Sequence, residues 1–185
     1  MSTSHSWGQH LRIVAGESVV ASSAATFSAV ALELPVWAMF IGWIAFFTRG
    51  RNLKAGLVNL GCVLIGLALG IGAARLQGAL VPYLDAYAIS AVVLAITAVA
   101  LSLARLPVFN NLLGFFLGLV SYFASHWPPA VGSFASLGLA AAIGTTVGFL
   151  AHAWAHRVTR QLPAVRGADL TSPVIGDLPS RGETQ

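Results

Sequence analysis

Charged side chains stand only at the edges of long apolar runs, and this spacing leaves few folds open. No Asp, Glu, Lys or Arg lies between Lys54 and Arg75, or between Arg105 and Arg157. Six apolar segments fall between the breaks, at about 13–32, 35–48, 54–76, 83–104, 107–125 and 131–154. Most approach the roughly 20 residues that a helix needs to cross the hydrocarbon of a bilayer. The first is diluted by Glu17, Ser18, Ser22, Ser23, Thr26 and Ser28, and the second is short, opening at Pro35, a residue suited to a first helical turn. Pro82 and Pro107 read as the breakers before the fourth and at the start of the fifth segment. Charged residues make up 9% of the chain and the mean hydropathy is +0.80, against roughly 25% charged in soluble domains. The expected class is an all-α integral membrane protein whose surroundings are the lipid bilayer.

The basic residues then set an orientation, because Lys and Arg in short loops favour the cytoplasmic side. With six crossings and the N-terminus inside, Arg12, Arg49, Arg51, Lys54, Arg105, Arg157, Arg160, Arg166 and Arg181 are cytoplasmic and only Arg75 is external. The expectation is therefore N-in/C-in. A re-entrant second segment would move every later loop to the other side and spoil the bias. Basic residues scattered at segment ends, rather than gathered on one polar face, give no reason to expect a nucleic-acid partner despite the net charge of +4. The expected division is a cytoplasmic N-terminus over 1–11, a transmembrane domain over 12–158, and a polar, Pro- and Gly-containing cytoplasmic tail over 159–185, disordered by composition. The N-terminus lacks the basic, then apolar, pattern of a secretory signal and is expected to be retained.

A second pattern lies inside the first. Moved forward by 76 positions, the stretch 40–72 lands on 116–148 with Phe40/Phe116, Gly42/Gly118, Phe47/Phe123, Gly56/Gly132 and Gly72/Gly148 identical. Ile41/Leu117, Ile44/Val120, Phe46/Tyr122 and Ile71/Val147 are conservative in that register. Such self-similarity predicts a tandem duplication, with repeats at about 13–76 and 83–155. Each repeat holds an odd number of segments, so the second enters the membrane from the opposite side. The predicted architecture is six transmembrane helices built as two inverted three-helix repeats, an arrangement recurrent in channels and transporters.

Within this frame few residues carry chemistry. Phe40, Trp43 and Phe47 share one helical face, and Phe116, Leu119 and Phe123 share the equivalent one. Such rings can form a slot for a small planar solute, with Asn59, Ser121, Tyr122, Ser136 and Thr145 able to hydrogen-bond it and Asn110, Asn111, Ser133 and Thr146 nearby. The same phenylalanines can equally face lipid or fill the core, with Trp37, Tyr83 and Trp127 in interfacial belts. Glu17 is the one candidate intramembrane carboxylate, for coupling or cation binding or else snorkelling to the interface. His152 and His156 stand one turn apart, but no third metal ligand accompanies them, so no metal site and no cofactor is expected. Gly66/Gly70, Gly114/Gly118 and Gly144/Gly148 are small-xxx-small pairs that let helices approach closely, within one chain or between copies. Cys62, the single cysteine, is a small packing residue in an apolar run. No phosphate-binding loop, dinucleotide fingerprint or nucleophile elbow is present, which argues against an enzyme.

The run Phe40-Ile41-Gly42-Trp43-Ile44-Ala45-Phe46-Phe47, together with Leu113-Gly114-Phe115-Phe116-Leu117-Gly118 through Tyr122-Phe123-Ala124 and Gly132, resembles the small bacterial inner-membrane proteins grouped as domain of unknown function 1097. The likeness covers most of 18–154 and consists of Gly/aromatic patterning. It implies a six-helix, multi-pass protein of the bacterial cytoplasmic membrane and carries no functional residue with it. The expected activity, drawn from the repeat and the scarcity of buried charge, is a channel or facilitator for a small uncharged polar solute such as urea or an amide, working as a homo-oligomer. The alternative is a non-transporting membrane scaffold or accessory subunit.

Overall fold

The computed structural model describes residues 7–160, and the expected tail beyond Arg160 and the first residues of the N-terminus lie outside them. Among the described residues all regular structure is helical: α1 (Trp7–Thr26), α2 (Val36–Thr48), α3 (Leu53–Leu84), α4 (Ala88–Leu103), α5 (Leu112–Ser125) and α6 (Val131–Arg160). The stretches His10–Ala31, Leu53–Leu103 and Val131–Arg160 are long and apolar enough to cross a membrane, whereas α2 and α5 are shorter apolar helices of 13 and 14 residues.

Two breakers behave differently from their sequence reading. Pro82 lies inside the last turn of α3 rather than ending it. A proline there forfeits one backbone bond, and the helix stops two residues later in any case. The chain turns at Asp85, whose φ of 46° is left-handed and whose N–H bonds back to the Val81 carbonyl. One 3₁₀ turn, Asp85–Tyr87, then leads into α4 without a loop. Pro107 does not start the fifth helix, which begins at Leu112 because Asn111 caps it, its side-chain oxygen accepting the Gly114 N–H at 3.2 Å. Asn52 caps α3 in the same way through Ala55 N–H at 2.8 Å. At its C-terminal end α1 widens into a π turn, Phe27–Ala31, where Ser28 is fully buried.

Packing is organised by two parallel helix pairs. In the first, α2 lies on α6: Gly42 meets the Ala141 backbone, Gly144 meets the Met39 backbone, and Gly148 lies against Phe46, so that a Cβ placed there would stand 3.1 Å from the Phe46 side chain. In the second, α5 lies on α3: Gly118 meets the Val63 backbone, Gly66 meets the Phe115 backbone, and Gly70 lies against Tyr122, so that a Cβ placed there would stand 3.0 Å from the Tyr122 side chain. The two lists are one list written twice. Met39, Gly42 and Phe46 correspond to Phe115, Gly118 and Tyr122 by 76 positions, while Val63, Gly66 and Gly70 correspond to Ala141, Gly144 and Gly148 by 78. The third helices are thus two residues out of the register that equated Gly72 with Gly148 and Gly56 with Gly132. Gly72 faces open space and Gly148 is packed, so those two are not equivalent positions. The shift arises because α5 and the turn after it are each one residue longer than α2 and its turn.

Direction follows from the same contacts. Phe46 and Arg49, at the end of α2, lie against Asn59 near the start of α3, so α2 and α3 are antiparallel. Thr48 at the end of α2 also meets Asn111 at the start of α5, so α5 runs opposite to α2. Helix α4 folds back on the far half of α3, with Val92 and Ile96 beside Ala73 and Gln77. Helix α1 reaches α6 where the Trp154 indole lies over Gly16 and its Nε1–H donates to the Arg12 carbonyl at 3.4 Å. The centre is apolar and filled: Val63, Leu67, Leu137, Ala140, Ala141, Phe46 and Phe115 are all fully buried.

Candidate functional site

Buried polar chemistry concentrates where α2 ends and where α3 and α5 begin. Asn111 Nδ2 donates to Thr48 Oγ1 at 2.7 Å and to Asn59 Oδ1 at 2.8 Å. Asn59 Nδ2 in turn donates to the carbonyls of Arg49 at 3.0 Å and Phe46 at 3.4 Å. Thr48 Oγ1 donates to the Ala45 carbonyl at 2.7 Å. Every amide hydrogen of the two asparagines is therefore engaged, as burial of such groups requires. The cap bond of Asn111 to Gly114 N–H adds the missing acceptor role, so one side chain both starts α5 and ties it to α2 and α3.

Beside this knot opens a cleft of about 350 Å³ between the α2–α3 turn and the segment before α5. Arg49, Asn52 and Lys54 line it on the polar side and Val58, Pro107 and Val108 on the apolar side, with Asn59 at its inner end. A second, apolar cleft of about 460 Å³ lies among α3, α4 and α5. Phe116, Leu119 and Phe123 form one wall of it and Ile89, Val92, Val93 and Ile96 the other.

These positions separate the residues expected to form one aromatic slot. Phe116 and Phe123 line the cleft against α4, in which no residue of α2 takes part. On α2, Phe40 and Phe47 lie on the helix surface, 40% and 39% exposed, and Trp43 is half-buried with its ring 6.1 Å from that of Phe40. The rings that do face inward are Phe46, Phe115 and Tyr122, each one residue from the expected face, and Phe46 and Tyr122 each lie on a glycine. The conservative pairing of these two already carried that signal. Tyr122 also donates its O–H to the Trp127 carbonyl at 3.3 Å.

The polar candidates mostly have backbone partners. Thr145 Oγ1 reaches the Ala141 carbonyl at 3.0 Å and the Gly42 carbonyl at 3.2 Å, which ties α6 to α2. Ser133 Oγ donates to the Pro128 carbonyl at 2.7 Å, tying the first turn of α6 to the turn before it. Ser136 is half-buried on α6. Ser121 stands apart, because its hydroxyl is buried and, like that of Ser28, has no hydrogen-bond partner. Glu17 is half-buried on α1 next to the Gly16–Trp154 contact. His152 and His156 have ring centroids 6.3 Å apart, and among the described residues no three His, Cys, Asp or Glu side chains gather where they would hold a metal.

Arg75 also has a defined task. Its Nε and Nη2 donate to the Pro129 carbonyl at 3.1 and 2.8 Å, joining α3 to the turn that precedes α6. Arg75→Gln is expected to lower the melting temperature of the detergent-purified protein modestly, by an amount equivalent to about 1 kcal/mol, since the pair is exposed to solvent. A differential scanning fluorimetry trace indistinguishable from wild type would show that this tie does not restrain the turn.

Taken together, the apolar helical stretches and the paired glycine contacts define a small all-helical protein whose long helices are compatible with a membrane setting. A family profile described as "Protein of unknown function (DUF1097)" matches residues 16–156, and the chain belongs to that family. No curated protein and no solved structure matches it.

Proposed function

We propose that the chain is a multi-pass protein of the bacterial cytoplasmic membrane, built as two inverted three-helix repeats with both termini inside, and that it facilitates passage of a small uncharged polar solute of the urea or amide class. The observation that carries this reading is the doubled contact list between antiparallel equivalents: α2 on α6 repeats as α5 on α3, with α2 and α5 running in opposite directions. Inverted repeats place a solute route near their interface. The unpartnered hydroxyl of Ser121, on a helix that touches α2, supplies a hydrogen-bonding group for a neutral solute. The scarcity of charge between Lys54 and Arg75 and between Arg105 and Arg157 favours passive passage over ion-coupled transport. This reading assigns the chain no catalytic role.

The test is stopped-flow flux of urea, formamide and glycerol in proteoliposomes. Flux well above that of empty vesicles, reduced by Ser121→Leu in a variant that still elutes as folded protein, is the expected result. Flux equal to that of empty vesicles for all three solutes would leave the second reading, a membrane scaffold or accessory subunit. That reading is favoured by one specific observation: Phe40 and Phe47 lie on the outside of the bundle, where an aromatic face is free to meet another protein.

A further inference from the structure

The cleft beside the asparagine knot has the make-up of an amphiphile site, and we infer that it binds the phosphate of an anionic phospholipid headgroup. Arg49 and Lys54 place two cations on one wall, and both are solvent-exposed and so available to a ligand. Pro107 and Val108, from the segment before α5, supply apolar surface, and Val58 adds to it one turn along α3 from Lys54. Cations beside an apolar shoulder suit a phosphate that carries glycerol and acyl carbons more than a bare ion, which would leave that shoulder wet. The volume, about 350 Å³, is in the range of small-molecule sites and accommodates a headgroup with the first carbons of its chains.

The backbone that carries the two cations is also anchored. Asn59 Nδ2 fixes the Arg49 carbonyl at 3.0 Å, and Asn52 fixes the first turn of α3 through Ala55 N–H at 2.8 Å. Both cationic residues therefore start from anchored backbone, which reduces the ordering that binding must impose. Arg51 belongs to the same exposed turn but does not line the cleft. It provides an internal comparison of equal charge. Under the orientation proposed above the site faces the inner leaflet; the binding itself does not depend on solute passage or on that orientation.

The experiment measures retention of lipid by native mass spectrometry of the full chain, released from detergent after incubation with phosphatidylglycerol or phosphatidylcholine, with inorganic phosphate as a competitor. Phosphatidylglycerol is expected to bind and phosphatidylcholine to bind much less. Arg49→Gln/Lys54→Gln is expected to weaken phosphatidylglycerol binding about thirty-fold, from roughly five-fold per basic side chain near a phosphate, while Arg51→Gln changes it less than about two-fold. Val58→Asp, which charges the apolar wall and leaves both cations in place, is expected to weaken lipid binding as well. Competition by millimolar inorganic phosphate that matches the lipid's own occupancy would assign the site to free phosphate and overturn the lipid source. Equal weakening by Arg51→Gln and by the double variant would overturn the site itself, since the attraction would then belong to the whole turn. Circular dichroism of each variant separates loss of binding from loss of fold.

Discussion

Gly144→Leu is expected to eliminate folded protein, and Gly72→Ala, on α3, to leave it intact or slightly more stable. A Cβ at Gly144 would coincide with the Met39 carbonyl and crowd the Trp43 nitrogen, both backbone atoms that no rotamer change can move. Overpacking of a filled core costs about 1–3 kcal/mol, and a collision with backbone lies at or beyond the upper end. Around Gly72 nothing stands within 4 Å, so alanine there keeps the packing and gains about 1 kcal/mol of helix propensity. Fluorescence-detected size exclusion of tagged variants reads the contrast directly. Gly66→Leu should behave as Gly144→Leu does, because the Phe115 backbone occupies the corresponding place. A well-folded Gly144→Leu protein would mean that α2 and α6 do not approach as described.

The second large effect is expected at the asparagine knot. Asn59→Leu deprives the Arg49 and Phe46 carbonyls of their donor and leaves one Asn111 amide hydrogen without its acceptor. Each buried polar group so orphaned costs about 1–3 kcal/mol, most fully for the Phe46 carbonyl and the Asn111 amide, whose bonds to Asn59 are buried. A loss of about 3 kcal/mol or more is expected in denaturant or thermal unfolding. Asn111→Asp is the sharper variant: it keeps the oxygen that caps Gly114, but removes both donated bonds and sets a carboxylate against Asn59 Oδ1. It should therefore destabilise despite a preserved helix cap. The double variant Asn59→Leu/Asn111→Leu is expected to cost less than the sum of its single changes by about 0.5–3 kcal/mol. Strict additivity would show that the two side chains are not bonded to each other.

Several of these features were readable from residues alone and others were not, for identifiable reasons. Charge spacing located the apolar stretches, because the cost of burying Asp, Glu, Lys or Arg is large and local. The Gly42/Gly118 and Phe46/Tyr122 matches pair α2 with α5, whose lengths differ by one residue and which make corresponding glycine contacts. The third helices were matched out of register, since a fixed offset cannot allow for the longer α5 and the longer turn after it. Pro82 and Pro107 misled because proline limits a helix only locally, whereas the observed boundaries answer to Asp85 and Asn111. Asn111 was visible only as one hydrogen-bonding residue among many. Its importance comes from Thr48 and Asn59, which are distant in sequence, and only tertiary packing brings the three together.

The crossed pairing of the helices also governs the order in which the chain can mature. Helix α2 finds its partner in α6 and α3 finds its partner in α5, with the Thr145–Gly42 bond closing a separation of 103 residues. Loop closure over such a span comes late, after local hairpins have formed. While a ribosome is still delivering α5 and α6, Gly42 and Gly66 sit on faces with no match, and these are the surfaces on which a neighbouring nascent chain or a quality-control factor can act. The chain thus matures as one unit, and α2 completes its packing only when α6 arrives.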